Sequence, residues 1–212
     1  MQKKLLFAAT IMSLFIVFVL GTLFGWSYGT TKLTDATRIV KEGELDSDSF
    51  LIEQDLFSTL GQRDCDLTQK RLESLGHQLY ELGNILGTST AERDLDVDNY
   101  NLLKRRFHLL QIKTYTLHYS LRQSCNTPSP IVLFYYSRND SLSEAQGKIL
   151  DEFVAKYDAR VFALEYQYSK ELAFLEQYYN VTRVPTLVLN YNRTFTELTS
   201  LDVLETVSGL HG

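Results

Sequence analysis

The sequence predicts an α/β protein in three structural parts: one N-terminal transmembrane helix, an antiparallel helical hairpin and a C-terminal domain with the element order β-α-β-α-β-β-α. A long uncharged apolar run predicts the first part. Leucines at alternating spacings of three and four predict the second. Short β-forming runs that alternate with amphipathic segments predict the third. The resulting segments are a cytoplasmic tip and anchor at 1–30, a linker and short helix at 31–62, the hairpin at 63–126 and the α/β domain at 127–212.

The N-terminal segment carries no charged residue from Leu5 to Thr31. Its apolar part, Leu5 to Trp26, has about 22 residues, enough to cross a hydrocarbon core about 30 Å thick. Because Lys3 and Lys4 precede it, the positive-inside rule puts the N-terminus in the cytoplasm. The rest of the chain would then lie in a periplasm, at a cell surface or in a lumen, with the lipid bilayer as one partner. A cleaved signal peptide is the alternative, but its apolar run would be about 7–15 residues long.

The linker segment combines two patterns. The stretch "TKLTDATRIVKEGELDSDS" has the polar composition of a flexible or loosely helical connection. The following "SFLIEQDLFSTLGQ" has apolar residues at helical spacing, which predicts a short helix capped by Ser47 or Ser49 and ended by Gly61.

The hairpin is predicted by two apolar stripes whose members recur at spacings of three and four. They are Leu72, Leu75, Leu79, Leu82 and Leu86, and then Leu103, Phe107, Leu110, Thr114, Leu117 and Leu121. Such stripes keep one helix face against a partner helix. We expect antiparallel helices at about 66–86 and 97–123, joined by "GTSTAERDLDVDN".

The only two cysteines, Cys65 and Cys125, flank this hairpin. Because the outer ends of an antiparallel hairpin lie side by side, we expect a structural disulfide. Closing a loop of about 60 residues is worth about 3–4 kcal/mol in the chain-entropy model. A redox-active or metal-binding pair is the alternative, although the two cysteines do not form a C-x-x-C unit and no histidine has ligand spacing with them.

No metal or cofactor site is predicted. Asp94, Asp96 and Asp98 alternate like the start of an EF-hand loop, but Asn99 and Arg105 replace the glycine and glutamate that this loop requires. The three carboxylates are expected to cap a helix instead. No nucleophile–base pair, phosphate loop or evident small-molecule site emerges, and a net charge of −5 without a basic run argues against nucleic acid as a partner.

Three N-x-S/T sequons permit glycosylation, at Asn139, Asn180 and Asn192. Together with the expected disulfide, they agree with a location outside the cytoplasm.

The C-terminal part begins at "TPSP" and alternates strands with amphipathic helices. "IVLFYY", "ARVFALEY", "TLVLNYN" and "TFTEL" are the predicted strands, and the last two form a hairpin. "SLSEAQGKILDEFVAKY", "SKELAFLEQYYN" and "SLDVLETVSGL" are the predicted helices. Tyrosines crowd this region, where they are expected to pack in or beside the sheet or to offer an aromatic surface to a peptide or glycan.

The element order and the stretch "RVPTLVLN" resemble the thioredoxin-like superfamily over residues 130–212, without that family's usual first strand. The long helix before "TPSP" could stand in for the family's first helix. The resemblance implies a cis-proline loop at Val184, Pro185 and Thr186, which in the family lies beside a reactive C-x-x-C pair and could bind an extended peptide.

The sequence departs from this family at the reactive pair. The positions that correspond to the two cysteines are Asp140 and Ser143, within "RNDSLSEAQ". Neither can form a mixed disulfide, and both are suited to cap the following helix.

The resemblance therefore predicts a redox-inactive domain that works as a binding, scaffold or accessory subunit of an envelope or secretory complex, with protein partners and no enzymatic activity. Two alternatives stay open. One is a thiol–disulfide oxidoreductase that uses Cys65 and Cys125 near Pro185. The other is a subunit of glycosylation or secretion machinery.

Overall fold

The computed structural model describes residues 2–60, 65–125 and 129–210. A 3₁₀ turn lies at Lys170–Leu172. The helices are α1 Gln2–Leu60, α2 Cys65–Leu86, α3 Ala91–Leu95, α4 Val97–Cys125, α5 Ser141–Tyr157, α6 Ala173–Tyr178 and α7 Leu201–Ser208. The strands are β1 Ile131–Tyr136, β2 Arg160–Glu165, β3 Thr186–Leu189 and β4 Arg193–Phe195.

The first helix differs from the prediction. It does not end with the apolar run but continues through segment 32–48, which contains many charged residues, as far as Leu60. In the part of the chain that the structure describes, no helix has both the length and the apolar composition that crossing a bilayer requires. The predicted transmembrane anchor, and the single-pass topology with an external C-terminal domain that was built on it, are therefore wrong. The side chains of residues 2–11 and 23–31, on which part of that prediction falls, lie outside the described part.

Residues 33–48 of α1 pack on the hairpin instead of forming a linker. Ala36, Ile39 and Val40 are buried in one core with residues of α2, α3 and α4. Gly43 allows a close approach, because a Cβ atom there would lie 2.7 Å from Cδ2 of Leu110. This apolar stripe is narrow and consists mostly of small or β-branched residues, so the polar composition around it concealed a buried helix face.

The hairpin has the predicted geometry. Helices α2 and α4 pack along the predicted stripes, with Leu72 and Leu75 against Leu117 and Leu121 in one core cluster. Cys65 and Cys125 form a disulfide with a Cα–Cα distance of 5.7 Å. The base of the hairpin is therefore closed covalently.

The four strands form one mixed sheet in the order β2-β1-β3-β4. β1 is parallel to β2 and antiparallel to β3, and β3 is antiparallel to β4. Ile131, Leu133 and Tyr135 face a core shared with α4 and α6, whereas Val132 and Phe134 face α5 and α7. Burial on both faces explains why β1 reads as an unbroken apolar run.

Helix α4 belongs to both the hairpin and the α/β layer. Its side chain Gln111 lies against the free edge of β2, where Nε2 donates to the carbonyl of Ala163 at 3.0 Å and Oε1 accepts from the amide of Ala163 at 2.9 Å. This amide pairs with the edge as a neighbouring strand would.

Candidate functional site

The residues at the predicted C-x-x-C positions form the start of α5. Asp140 is the N-cap, and its Oδ2 accepts a hydrogen bond from the Ser143 amide at 2.7 Å. Hydrogen bonds from the side chain and amide of Ser143 lower the pKa of the Asp140 carboxyl below its usual range. The Ser143 hydroxyl is buried and accepts from the Ser137 amide at 3.2 Å. The two side chains therefore fasten the end of β1 to the helix, and neither is placed as a nucleophile.

The proline loop lies at the same end of the sheet. The Val184–Pro185 peptide bond is cis, and the hydroxyl of Thr186 donates to the Arg183 carbonyl at 2.8 Å. Strands β1 and β3 pair with Tyr135 opposite Thr186, so the residues just before β3 lie beside the segment that leads from β1 to Asp140. We call this end of the sheet, with residues 137–143 and 182–186, the proline end.

The backbone of Val184 is unpaired at this end. Among the hydrogen bonds of the described residues, none uses the amide or the carbonyl of Val184. Its side chain packs against the core, whereas Thr182 and Arg183 before it are exposed. A free donor and acceptor beside a sheet are what an added extended peptide would bind.

A charged cluster that sequence reasoning missed borders the proline end. Lys104 of α4 pairs with Glu165 at the end of β2, and both side chains are largely buried. Arg138 lies 3.4 Å from Glu165 and also contacts Glu92 and the Tyr100 hydroxyl. The cluster joins residues as far apart in the sequence as Glu92 and Glu165, so no local sequence pattern predicted it. It fixes the tip of the hairpin to the sheet.

The cysteines lie at the opposite end of the sheet. Near the end of α4, Nη1 of Arg122 donates at 2.7 Å to Oδ1 of Asn190, which also accepts from the Ile131 amide at the start of β1. Lys104 and Arg122 are thus at opposite ends of the sheet, about 27 Å apart along the helix. The disulfide that follows Arg122 is therefore not brought to Pro185.

The three sequon asparagines, Asn139, Asn180 and Asn192, are exposed. Asn139 and Asn180 have positive φ angles of 59° and 52°, which asparagine tolerates better than most residues. Glycosylation at any of the three stays a prediction.

No metal-binding cluster occurs within the described ranges, where no three His, Cys, Asp or Glu side chains are suitably grouped. Asp94 is instead bound to Lys32 at 2.9 Å and to the Thr90 hydroxyl at 2.8 Å. Asp96 accepts a hydrogen bond from the Asp98 amide at 3.2 Å, as a capping side chain would. These carboxylates tie the α3 region together.

Comparison with known proteins places the chain in no family: no family model matches it, and no curated protein is similar to it. The geometry of the proline end is therefore the basis for a functional proposal.

Proposed function

We propose that residues 130–212 form a redox-inactive thioredoxin-like domain, completed by α4, that binds an extended segment of a partner protein at the proline end. The first support is the arrangement of the elements. The sheet order, the pairing directions and the two helices on each face agree with what the resemblance implies. In this proposal α4 replaces the family's first helix, and Gln111 occupies part of the place of its absent first strand.

The observation that carries the binding role is the unpaired backbone of Val184 next to Pro185. Main-chain hydrogen bonds to an extended peptide provide affinity that depends little on the peptide's sequence. The exposed Arg183 and Asn139 side chains would contact that peptide and give it selectivity.

The absence of thiol chemistry at this end supports a binding role over an oxidoreductase. Asp140 and Ser143 are engaged in helix capping, and both cysteines of the chain are paired at the other end of the sheet. The oxidoreductase alternative would need the sulfurs beside Pro185, and α4 holds them away from it.

Site-specific photocrosslinking tests the binding role. The full chain carries benzoylphenylalanine at position 183, beside Val184, or at position 152 on the exposed side of α5 as the matched control. We expect discrete protein adducts from position 183 and none from position 152 after irradiation in cells that express the protein.

Val184→Pro provides the second arm, because it removes the free amide hydrogen without removing a hydrogen bond of the folded chain. We expect it to abolish the adducts from position 183 while the variant stays folded, with a lower unfolding temperature because the Val184 side chain packs against the core. Equal adducts from both positions, or adducts that persist in a folded Val184→Pro variant, would contradict the proposal.

A further inference from the structure

The opposite end of the sheet holds an open cavity of about 830 Å³. It lies between α4, α6, the turn that joins β3 to β4 and the end of α7. We call this cavity the aromatic groove. Six aromatic side chains line it, namely Tyr115, Tyr119, Phe174, Tyr178, Tyr179 and Tyr191. Its volume falls within the range of about 300–1,000 Å³ that is usual for ligand sites.

The floor of the groove is rigid. The hydroxyls of Tyr115 and Tyr179 are 2.8 Å apart, and the Tyr191 hydroxyl donates to the Tyr115 carbonyl at 3.0 Å. The Tyr115 and Tyr191 rings pack at a tilt of 40° with their centroids 4.5 Å apart. Burial raises the pKa of both phenols above their usual range, so they stay protonated. A preorganised floor lowers the entropic cost of binding.

The rim of the groove is apolar and exposed. Phe174 keeps 55% of its surface exposed and Tyr178 keeps 76%. These side chains are not part of a core, although each could bury a large area against a ligand. Tyrosine and arginine at the centre of a concave surface are the residue types that most often dominate protein interfaces.

The charge of the groove is opposite to that of the chain. Arg122 and Arg193 line it, and none of its described lining residues is Asp or Glu, whereas the whole chain has a net charge of −5. Arg122 donates to the neutral Asn190 amide, and in the described part of the chain neither arginine has an ion-pair partner. Two uncompensated guanidinium groups beside aromatic walls favour a carboxylate ligand.

We propose that the aromatic groove binds an acidic peptide segment of a partner protein in which Asp or Glu lies next to proline or aromatic residues. Proline-rich segments dock in aromatic-lined grooves in a preformed extended conformation. The carboxylates would pair with Arg122 and Arg193 while apolar side chains pack against Phe174 and Tyr178. A glycan is a poorer fit, because the Asn190 oxygen is already used twice and no carboxylate is present to accept from sugar hydroxyls.

This inference is independent of the thioredoxin-like assignment and of the proline end. Arg122, Arg193 and the turn that joins β3 to β4, which line the groove, lie at the opposite end of the sheet from Val184, so either site can fail without the other.

A selection with random twelve-residue peptides displayed on phage tests the proposal on the full chain. Tyr178→Ala and Arg193→Gln serve for counter-selection, because both side chains are exposed and their loss leaves the core intact. We expect recovered peptides to be enriched in Asp or Glu beside proline or aromatic residues. In calorimetry, each variant should weaken their binding about tenfold or more, equivalent to about 1.4 kcal/mol.

Matched controls replace the same residue types elsewhere. Tyr80→Ala removes a tyrosine on α2 that is 69% exposed, and Arg183→Gln removes an exposed arginine at the proline end. Both should bind the recovered peptides as tightly as the unaltered chain.

Three results would overturn the proposal. Peptides without acidic bias, or with unchanged affinity for Tyr178→Ala and Arg193→Gln, would remove the groove as their site. Binding of mannose or chitin oligosaccharides in place of peptides would assign the groove to glycans. Self-association in sedimentation that Tyr178→Ala abolishes would assign it to a second copy of the chain.

Discussion

The two ends of the sheet are built in contrasting ways. Beside the proline end, Lys104 and Arg138 pair with Glu165, and among the hydrogen bonds of the described residues none uses the main-chain atoms of Val184. At the other end, arginines line an open aromatic cavity, and the nearby cysteines are joined. Helix α4 reaches both ends, so one element supports two surfaces of different chemistry.

The proposed binding at the proline end uses main-chain atoms, whereas the proposed binding in the aromatic groove uses side chains that are particular to this chain. Main-chain atoms beside a proline loop can bind many extended peptides. A groove with fixed tyrosines and two guanidinium groups selects by shape and charge.

Removing the disulfide should have the largest effect and should act first on the aromatic end. Cys65→Ser with Cys125→Ser should lower the free energy of unfolding by about 3–4 kcal/mol, because the unfolded chain without the crosslink has more conformational entropy. Urea unfolding measures the loss. Amide hydrogen exchange should become faster at 119–125 before it becomes faster near Val184. A decrease in the free energy of unfolding of less than about 1 kcal/mol would contradict a stabilising role of the disulfide.

Glu165→Gln should be the most damaging single charge substitution at the proline end. It leaves Lys104, whose side chain is 6% exposed, without a carboxylate and also removes a partner of Arg138. Breaking a buried ion pair in this way costs about 3 kcal/mol. Glu171→Gln is the matched control, because Glu171 pairs with Arg105 on the surface, and urea unfolding should show no change for it.

Gln111→Leu should destabilise the link between α4 and β2. It removes both hydrogen bonds that the side chain makes to Ala163 and leaves two edge groups unpaired, which costs about 2–3 kcal/mol. The unpaired edge should also promote association, measured by sedimentation at rising concentration. A monomeric variant of unchanged stability would show that the amide does not protect this edge.

Acid should weaken the proline end through His108. This imidazole is buried beside Lys104, and burial followed by the Lys104 charge lowers its pKa from 6.5 to about 3. The unfolded chain therefore takes up a proton that the folded chain does not, so stability is full above about pH 6.5 and falls as the pH decreases towards 3.

His108→Leu should remove about 1.6 kcal/mol of the loss in unfolding free energy between pH 6.5 and 5. The unfolded chain binds about half a proton at pH 6.5 and nearly one at pH 5, and each pH unit contributes at most about 1.4 kcal/mol per proton. Both ring nitrogens of His108 are buried without a partner among the described residues, so the substitution breaks no hydrogen bond. His77→Gln, on the exposed surface of α2, is the matched control substitution.

Local patterns predicted most of the secondary structure. Leucine spacing indicated α2 and α4, whose observed bounds differ from the predicted ones by at most two residues, and it placed the cysteines side by side. Strand-forming runs and the stretch before Thr186 indicated the order of the C-terminal elements. These features depend on neighbours in the sequence.

Long-range contacts could not be predicted. The 33–48 part of α1 is helical because Ala36, Ile39 and Val40 bury against the hairpin, a contact that its polar composition concealed. The Lys104–Glu165 pair and the convergence of Tyr115, Tyr179 and Tyr191 depend on how α4 lies across the sheet. The number of tyrosines indicated an aromatic surface. It did not indicate where that surface lies or that arginines border it.

We propose that the proline end is a thioredoxin-like site without its cysteines. Asp140→Cys with Ser143→Cys restores the pair at the start of α5, where the helix N-terminus favours a thiolate. Insulin reduction with dithiothreitol as the reductant is the measurement, with cysteines at 148 and 151 on the same helix as the control. We expect the 140/143 variant to reduce insulin at least tenfold faster than the unaltered chain and the control. A folded 140/143 variant whose thiols are accessible but which is no more active than the control would contradict it.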